Sequence, residues 1–456
     1  MSPIVVIVAV LIIGGGGIMA HARWRQRKLV ERLRSEWGVP QPVRRPAAID
    51  AAESWRELDE ASDQAAGLDD RTWLDLDLDA VVSSIDRTHT GLGQQALYRR
   101  LRSTLSWNAA DGIEQLVGRF GADASLRESA GVVLHMAGPS LGRGLWIITR
   151  PALIRVRWWY WSFPVLALGM LFSLMTIPFY PPALIAVLVL LVLNLLARMA
   201  TAWQVPGLLA PMRQMGALIA TAERLVGAVE TDQGEAGGIR TGIKSLAPLR
   251  RIARWVSRDP FSSGELVAGV WEYLNLMFIL DANALVLSAH ELRRQAPVVS
   301  RVAQWVGDVD VALCVASLRA EPRDWCIPVR TGGRNAEVAG VWHPLVESPV
   351  ANDAELYPGR GVIVTGANMS GKSTYLRSIG IAAVLARSLN TCPASSWRGA
   401  LFGVRSLIGR DDDLSAGKSY YQVEADGVVA MLSLIHISEP TRLRRISYAV
   451  FCVKKK

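Results

Sequence analysis

Cysteine is scarce in this chain: the 456 residues hold four, Cys314, Cys326, Cys392 and Cys452, and none forms a C-x-x-C pair. That scatter argues against a zinc site and against a disulfide framework, and it fits a reducing cytosol. Acidic side chains are in deficit too, 41 against 50 Lys and Arg, for a formal charge of +9. An anionic partner such as nucleic acid or lipid headgroups suits that balance. Several of the bases, however, flank apolar runs, where they orient a membrane protein and need not touch DNA. Internal repeats are lacking, and the one low-complexity tract is Gly14 to Gly17. In excess are hydrophobic residues, 50% of the chain, which is high for a purely soluble protein and directs attention to membrane segments.

Residues Ile4 to Ala20 form an uncharged run followed at once by His21, Arg23, Arg25, Arg27 and Lys28. A signal peptide carries its positive charge before the apolar core; here the charge follows, so residues 1–20 are expected to be a transmembrane anchor with the basic side in the cytoplasm. A second apolar region, Trp158 to Ala197, is broken by Pro178, Pro181 and Pro182. Each half approaches the ~20 residues that cross a bilayer core, so residues 158–197 read as a transmembrane hairpin. Arg150, Arg155 and Arg157 precede it, Arg198 follows, and its tip is uncharged. Both ends are therefore expected on the cytoplasmic side, with Trp158, Trp159, Tyr160, Trp161, Phe179 and Tyr180 in the interfacial belts. The apolar stretch Val270 to Ala289 contains Glu272, Asn275, Asp281 and Asn283. Acids inside a membrane cost a few kcal/mol each, roughly 3 on insertion scales, so this stretch is expected to be one long core helix.

Between these landmarks, residues 21–70 read as a juxtamembrane helix and linker broken by Pro40, Pro42 and Pro46. Residues 71–150 and 198–325 carry helical spacing of Leu, Val and Ile. From 326 to 432 the texture changes to short β-type runs, Asn335 to Trp342 and Gly361 to Thr365, punctuated by glycine and proline. The strongest motif follows at once: Gly366, Ala367, Asn368, Met369, Ser370, Gly371, Lys372 and Ser373 satisfy G-x-x-x-x-G-K-[ST], and an apolar-periodic helix, Tyr375 to Leu389, comes next. Phosphates are dense in negative charge, so such a loop presents inward-pointing backbone N–H groups, and its glycines permit the close approach. The helix N-terminus adds its positive dipole end. Lys372 is expected to reach the β- and γ-phosphates of ATP and Ser373 to ligate Mg²⁺ through its hydroxyl.

The wording of this loop, from Thr365 through Asn368, Met369 and Lys372 to Thr374 and Arg377, resembles the MutS family ATPase, whose loop reads T-G-x-N-M-x-G-K-S-T. Upstream, Trp342 to Val346 and Ala351 to Asp353 are similar to the family's H-P-x-[VL] and A-N segments. Downstream, Asp412 to Glu424 resembles its D-D-L-x-x-G-x-S-x-F-x-x-E signature. The resemblance implies that Ser419 reaches across a homodimer interface to the partner's nucleotide. Far upstream, Asp86, Thr88, Thr90 and Gly93 with Leu97 and Leu101 look like the L-D-x-T-x-T-x-x-G opening of the family's helical core. The implied fold is an incomplete α/β P-loop NTPase domain (ABC-type, MutS-like), preceded by a mainly α-helical core that the hairpin interrupts. Two family features lack counterparts. No F-x-E wedge of a mismatch-reading domain occurs in residues 21–70, so mismatch recognition is not expected. Ser348, Pro349 and Val350 stand where the family carries an aromatic against adenine, which leaves adenine versus guanine open.

The family continues past Glu424 into a strand ending in Asp-Glu, where the Asp assists Mg²⁺ and the Glu polarises the attacking water. Here no acidic pair closes an apolar run, and the candidate strand Ile446 to Val453 ends in three lysines, the wrong charge for holding a metal. Residues 433–456 resemble translated sequencing-adapter DNA on a truncated frame; a genuine basic tail on a divergent paralogue is the other reading. This chain is expected to lack catalytic residues for hydrolysis, whereas the intact parent is expected to be an ATPase. Two functions follow from the resemblance and the membrane segments. One is a DNA-associated, dimeric ATP-binding protein tethered to the bacterial inner membrane, with its nucleotide domain in the cytoplasm and Arg250, Arg251, Arg254, Arg293 and Arg294 as candidate phosphate contacts. The other is an ATP-switched membrane scaffold that binds a protein partner and no DNA. A transporter fits less well, because the spans hold few polar residues from which to build a pathway.

Overall fold

The structure, a computed structural model, describes residues 21, 23–40, 68–103, 107–142, 144–145, 157–201, 205–229, 235–256, 273–408, 429 and 448–453. The expected anchor (1–20), most of the linker (41–67) and residues 433–447 of the tail lie outside the described residues. The architecture is mainly helical with small sheets. In chain order the helices are α1 (residues 23–36), α2 (Asp70–Asp75), α3 (Leu78–Ile85), α4 (Gly91–Arg102), α5 (Trp107–Ala122), α6 (Ala124–Ala137), α7 (Ser162–Thr176), α8 (Ala183–Thr201), α9 (Val205–Val229), α10 (Glu235–Ser245), α11 (Ala247–Val256), α12 (Leu280–Arg319) and α13 (Lys372–Leu389). The strands are β1 (Trp325–Cys326), β2 (Val329–Arg330), β3 (Ala336–Val341), β4 (Asn352–Leu356), β5 (Cys392–Pro393), β6 (Ser396–Gly399), β7 (Gly403–Ile408) and β8 (Tyr448–Val453). The chain divides into two compact units. One holds residues 1–88, 93–132 and 308–456, and the other holds 89–92 and 133–307.

In the first unit, the apolar spacing of α2 and α3 buries Trp73, Leu76, Leu78, Val81, Val82 and Ile85, one face of a 3.6-residue period. Asp69 caps α2 by accepting from the Thr72 backbone N–H at 3.3 Å. Buried polar groups then tie α2 to β7. Ser406 N–H donates to Thr72 Oγ1 at 2.9 Å, while Ser406 Oγ and Ile408 N–H both donate to Asp75 Oδ2 at 3.0 Å. Asp75 thus supplies the acceptor that a neighbouring strand would otherwise provide on that edge. The other edge of β7 pairs in parallel with β8, so the candidate strand near the C-terminus does form, over Tyr448–Val453. A mixed four-stranded sheet runs β2-β6-β3-β4, and β1 pairs antiparallel with β5. In β3, Ala336 and Val338 point inward, as its alternation requires, and Val341 is buried three residues further on. A register shift between Val338 and Val341 is accommodated by Gly340 at φ +63°, where an added Cβ would meet Ser395 Oγ at 2.5 Å.

One β-type expectation is corrected here. Gly361 to Thr365 belongs to no sheet among the described residues, and Val362 and Ile363 are 64% and 88% exposed. Strand propensity yields a ladder only when a neighbouring edge is available. Among the described strands, β3 is taken by β4 and β6, and β7 by β8.

In the second unit, α7 and α8 form the expected helical hairpin. The chain turns where Pro178, Pro181 and Pro182 deny it further helical hydrogen bonds, and the Phe179 and Tyr180 N–H groups close on Thr176 O. Val165, Leu168, Phe172, Met175, Leu184, Ile185, Leu188, Val192 and Leu196 are exposed along these helices. Spans of 19 residues (Trp158–Thr176) and 18 residues (Ala183–Ala200) are long and apolar enough to cross a membrane, judged by length and composition only. The stretch around Val270 to Ala289 is not one helix. Residues 273–278 are helical, Ile279 breaks the run at φ +46°, and α12 starts at Leu280. Asn283 stabilises the break by donating through Nδ2 to Phe278 O at 2.8 Å and Ile279 O at 3.1 Å. Short polar side chains compete in this way with the helical ladder. Ile279, Ala282, Val286 and Ala289 are buried, as a core segment requires.

Candidate functional site

The site is built on the junction between the unpaired segment 361–365 and α13. Gly366 adopts φ +155°, and a Cβ there would lie 2.8 Å from Ser370 Oγ. Gly371 caps α13 at φ +88°, in the left-handed region that glycine enters without steric cost. Between them Ser370 N–H bonds Ala367 O at 3.2 Å, and Tyr375 N–H bonds Gly371 O at 2.8 Å, which starts the helix. Met369, a non-glycine residue at φ +66°, is fully exposed. Such strain concentrates at functional turns. The first N–H groups of α13 have no preceding turn to bond, so they face outward with the positive end of the helix dipole.

Lys372 folds back over this loop. Its Nζ donates to Gly366 O at 2.8 Å and to Ala367 O at 2.5 Å. The ammonium is thereby held above the loop, where a phosphate bound at the helix terminus would meet it. Ser373 and Thr374 lie on the exposed first turn of α13. The glycine positions, the lysine and the helix terminus fit a nucleotide's phosphates, and the Ser373 hydroxyl is placed where it could serve a Mg²⁺ ion. All nine sequence-predicted residues, Gly366, Ala367, Asn368, Met369, Ser370, Gly371, Lys372, Ser373 and Thr374, are therefore gathered in one exposed turn. Ser419 and the acidic signature from Asp412 to Glu424 lie outside the described residues. No cluster of metal-ligating side chains occurs among the described residues.

The upstream segments reach the same helix. Asp353 O accepts from the Tyr375 hydroxyl at 2.8 Å, and Asp353 Oδ1 accepts from Gly340 N–H at 2.8 Å. The A-N-D segment is thus fastened both to β3 and to the first turn of α13. Trp342 is buried, packs edge-on against Trp325 and donates through Nε1 to Asp324 O at 2.9 Å. His343 Nδ1 accepts from Leu345 N–H at 3.3 Å. Its pKa lies below the ordinary histidine value, first because burial penalises the imidazolium and then because the Arg377 guanidinium is near. The sign follows from proton binding. Below the unfolded value of about 6.5 the unfolded chain takes up a proton that the native imidazole resists, so stability is lost as pH falls. Replacing His343 with glutamine is expected to flatten the decline of the unfolding midpoint between about pH 7 and pH 5. Thermal unfolding of both proteins across that window is the check, and parallel pH profiles would refute the assignment.

The Asp86–Thr88 turn, by contrast, is architectural. Asp86 Oδ1 accepts from Thr88 N–H at 2.9 Å and from Thr88 Oγ1 at 2.6 Å, and Gln94 Nε2 donates to Asp86 Oδ2 at 3.1 Å. Gly93 is required there, since a Cβ would sit 2.2 Å from Asp310 Oδ2. The candidate phosphate contacts in the second unit are partly committed. Arg250 pairs with Glu223 at 2.6 Å and Arg294 with Glu291 at 3.4 Å; Arg251 and Arg293 lie on exposed helix surface. Solvated pairs of this kind are weak and release their arginines at little cost.

Residues 362–438 match the family model of MutS domain V. The chain is 36% identical over 168 residues to the DNA mismatch repair protein MutS of Dinoroseobacter shibae, a stretch covering 33% of this chain and 19% of that protein. It is 34% identical over 152 residues to the DNA mismatch repair protein MutS of Ruegeria pomeroyi, covering 30% and 17%. The chain thus spans less than a fifth of the length of these curated relatives, and its relation to MutS rests on that shared part.

Proposed function

We propose that this chain is a MutS-type, ATP-binding and DNA-associated protein tethered to the bacterial inner membrane, with the nucleotide domain on the cytoplasmic face. The observation that carries the reading is the Gly366–Ser373 turn at the N-terminus of α13, within the part of the chain that matches MutS domain V. Gly366, Ala367, Asn368, Met369, Ser370, Gly371 and Thr374 would contribute the phosphate cradle, Lys372 the charge on the β- and γ-phosphates, and Ser373 the Mg²⁺ ligand. Bound ATP supplies a γ-phosphate as a removable contact for a homodimer, completed by Ser419 from the partner. The exposed apolar length of α7 and α8 supports the membrane tether. The DNA assignment is drawn from the relatives' printed function and from the net charge of +9. By domain, the reading takes 1–20 as anchor, 21–70 as juxtamembrane segment, 71–150 and 198–325 as helical core, 158–197 as membrane hairpin, 326–432 as ATPase domain and 433–456 as a non-native tail.

The test uses the full chain in detergent micelles. Saturable, Mg²⁺-dependent binding of a fluorescent ATP analogue, displaced by unlabelled ATP, is the expected result; its absence overturns the nucleotide reading. DNA binding is then measured across salt concentrations. A linear fall of log affinity with log salt supports backbone phosphate contact. The second reading, an ATP-switched scaffold that binds a protein partner and no DNA, is favoured by the exposed apolar hairpin of α7 and α8. Nucleotide binding without any salt-sensitive DNA binding would select it.

A further inference from the structure

Cys326 and Cys392 are separated by 66 positions in sequence, yet they are directly opposed across the antiparallel strands β1 and β5, with their sulfurs 3.2 Å apart. Opposed antiparallel residues hold their Cα atoms roughly 4.5–5.5 Å apart, inside the roughly 4.4–6.8 Å that a disulfide requires. The two differ in setting: Cys326 is partly exposed, whereas Cys392 is buried. The Cys326 thiol is shifted toward its thiolate, first by the hydrogen bond from the Cys392 thiol and further by backbone hydrogen bonds and the charge of Arg319; burial opposes the shift. The buried Cys392 keeps its proton. Cys314 is fully buried, its thiol pushed up to about 12 by desolvation first of all.

We propose that Cys326 and Cys392 form a peroxide-responsive dithiol that closes to a disulfide and clips the segment after the P-loop helix to the segment after α12. The chemistry balances with hydrogen peroxide as oxidant. The Cys326 thiolate attacks one peroxide oxygen, the O–O bond breaks to leave a sulfenic acid on Cys326, and the departing hydroxide takes the proton released when Cys326 ionised and leaves as water. Cys392 sulfur then attacks the Cys326 sulfur. The S–S bond forms as the S–O bond breaks, and the leaving hydroxide takes the Cys392 proton as water. Overall, two thiols and one peroxide give one disulfide and two waters.

The position gives the bond a consequence. β5 follows α13 directly through Asn390 and Thr391, and both are already held by the last residue of α12. Arg319 Nε donates to Thr391 Oγ1 at 2.8 Å, Nη2 donates to Asn390 O at 2.9 Å, and the guanidinium grips Glu114 at 2.5 and 2.7 Å. A disulfide four-square with these hydrogen bonds converts a breakable junction between α12 and the P-loop helix into a covalent one.

The experiment treats the full chain with hydrogen peroxide, quenches with acid, alkylates free thiols under denaturing conditions and maps all cysteines by mass spectrometry. The expected result is a peptide pair joined through Cys326 and Cys392 that dithiothreitol separates, with Cys314 still alkylated. The Cys326→Ser variant should lose the cross-link and leave Cys392 unoxidised. The Cys392→Ser variant should accumulate a dimedone-reactive sulfenic acid on Cys326. Recovery of both residues as alkylated thiols from peroxide-treated wild type, or pairing of Cys326 with a different cysteine or another chain, overturns the proposal. So does a sulfenic acid trapped on Cys392 in the Cys326→Ser variant. None of these readouts depends on nucleotide or DNA binding, so failure here is distinct from failure of the proposed function.

Discussion

Replacing Lys372 with alanine is expected to weaken ATP binding by about 10- to 100-fold while leaving the unfolding midpoint nearly unchanged. The magnitude follows from the loss of a charge-assisted hydrogen bond, worth roughly 1.5–3 kcal/mol, at roughly 1.4 kcal/mol per tenfold in affinity. The fold is spared because the ammonium contacts only exposed loop carbonyls, Gly366 O and Ala367 O, which water can satisfy when the side chain is removed. An arginine at 372 should rescue little, since a planar guanidinium cannot occupy the compact position between those carbonyls and a phosphate. Gly371→Ala is a different control, because it strains the φ +88° cap and should lower stability together with affinity. Titration of a fluorescent ATP analogue against the two Lys372 variants separates charge from shape. Unchanged affinity in Lys372→Ala would remove the turn from the nucleotide site.

How much of this was legible beforehand depends on the range over which each signal acts. The candidate P-loop is local: two glycines, a lysine and a helix start fall within eight residues, so the turn and the left-handed cap at Gly371 can be read from sequence. The hairpin is also local, because prolines at 178, 181 and 182 and uninterrupted apolar runs act within one turn or one helix. The break at Ile279 is not written in the local sequence, since a run of apolar residues gives no sign that Asn283 will take the carbonyls of Phe278 and Ile279. The same holds for Gly361 to Thr365, whose β pattern specifies a strand but not the partner that a ladder needs. The Cys326–Cys392 pair was invisible for a further reason. Cysteine spacing reports on contiguous motifs, and this pair is created by strand register between segments on either side of the whole loop-and-helix unit. Asp75, likewise, reads as an ordinary acidic helix residue, and only the fold shows it completing the edge of β7.

The second large effect concerns the junction between the Asp86–Thr88 turn and the end of α12. Arg87 donates through Nη1 to Ser317 O at 2.8 Å and to Ser317 Oγ at 2.9 Å, and its Nη2 pairs with Glu321. The two charged side chains are only 4% and 6% exposed. Trp325 Nε1 donates to the other Glu321 oxygen at 2.9 Å, so the carboxylate is engaged on both sides. Desolvation dominates the energetics here, and it holds the Arg87 pKa below its ordinary value. The pair as a whole therefore adds little net stability, but removing one member is costly. Arg87→Leu should destabilise the first unit by about 3–5 kcal/mol, because Glu321 is left as an uncompensated buried charge. The loss should shrink as pH falls, since the stranded carboxylate escapes its penalty by taking up a proton in the native state. Adding Glu321→Leu to Arg87→Leu should restore most of the stability, the apolar pair having no charge to desolvate. Chemical denaturation of the wild type, both single variants and the double variant closes the cycle. Additive losses would show that the two residues act separately.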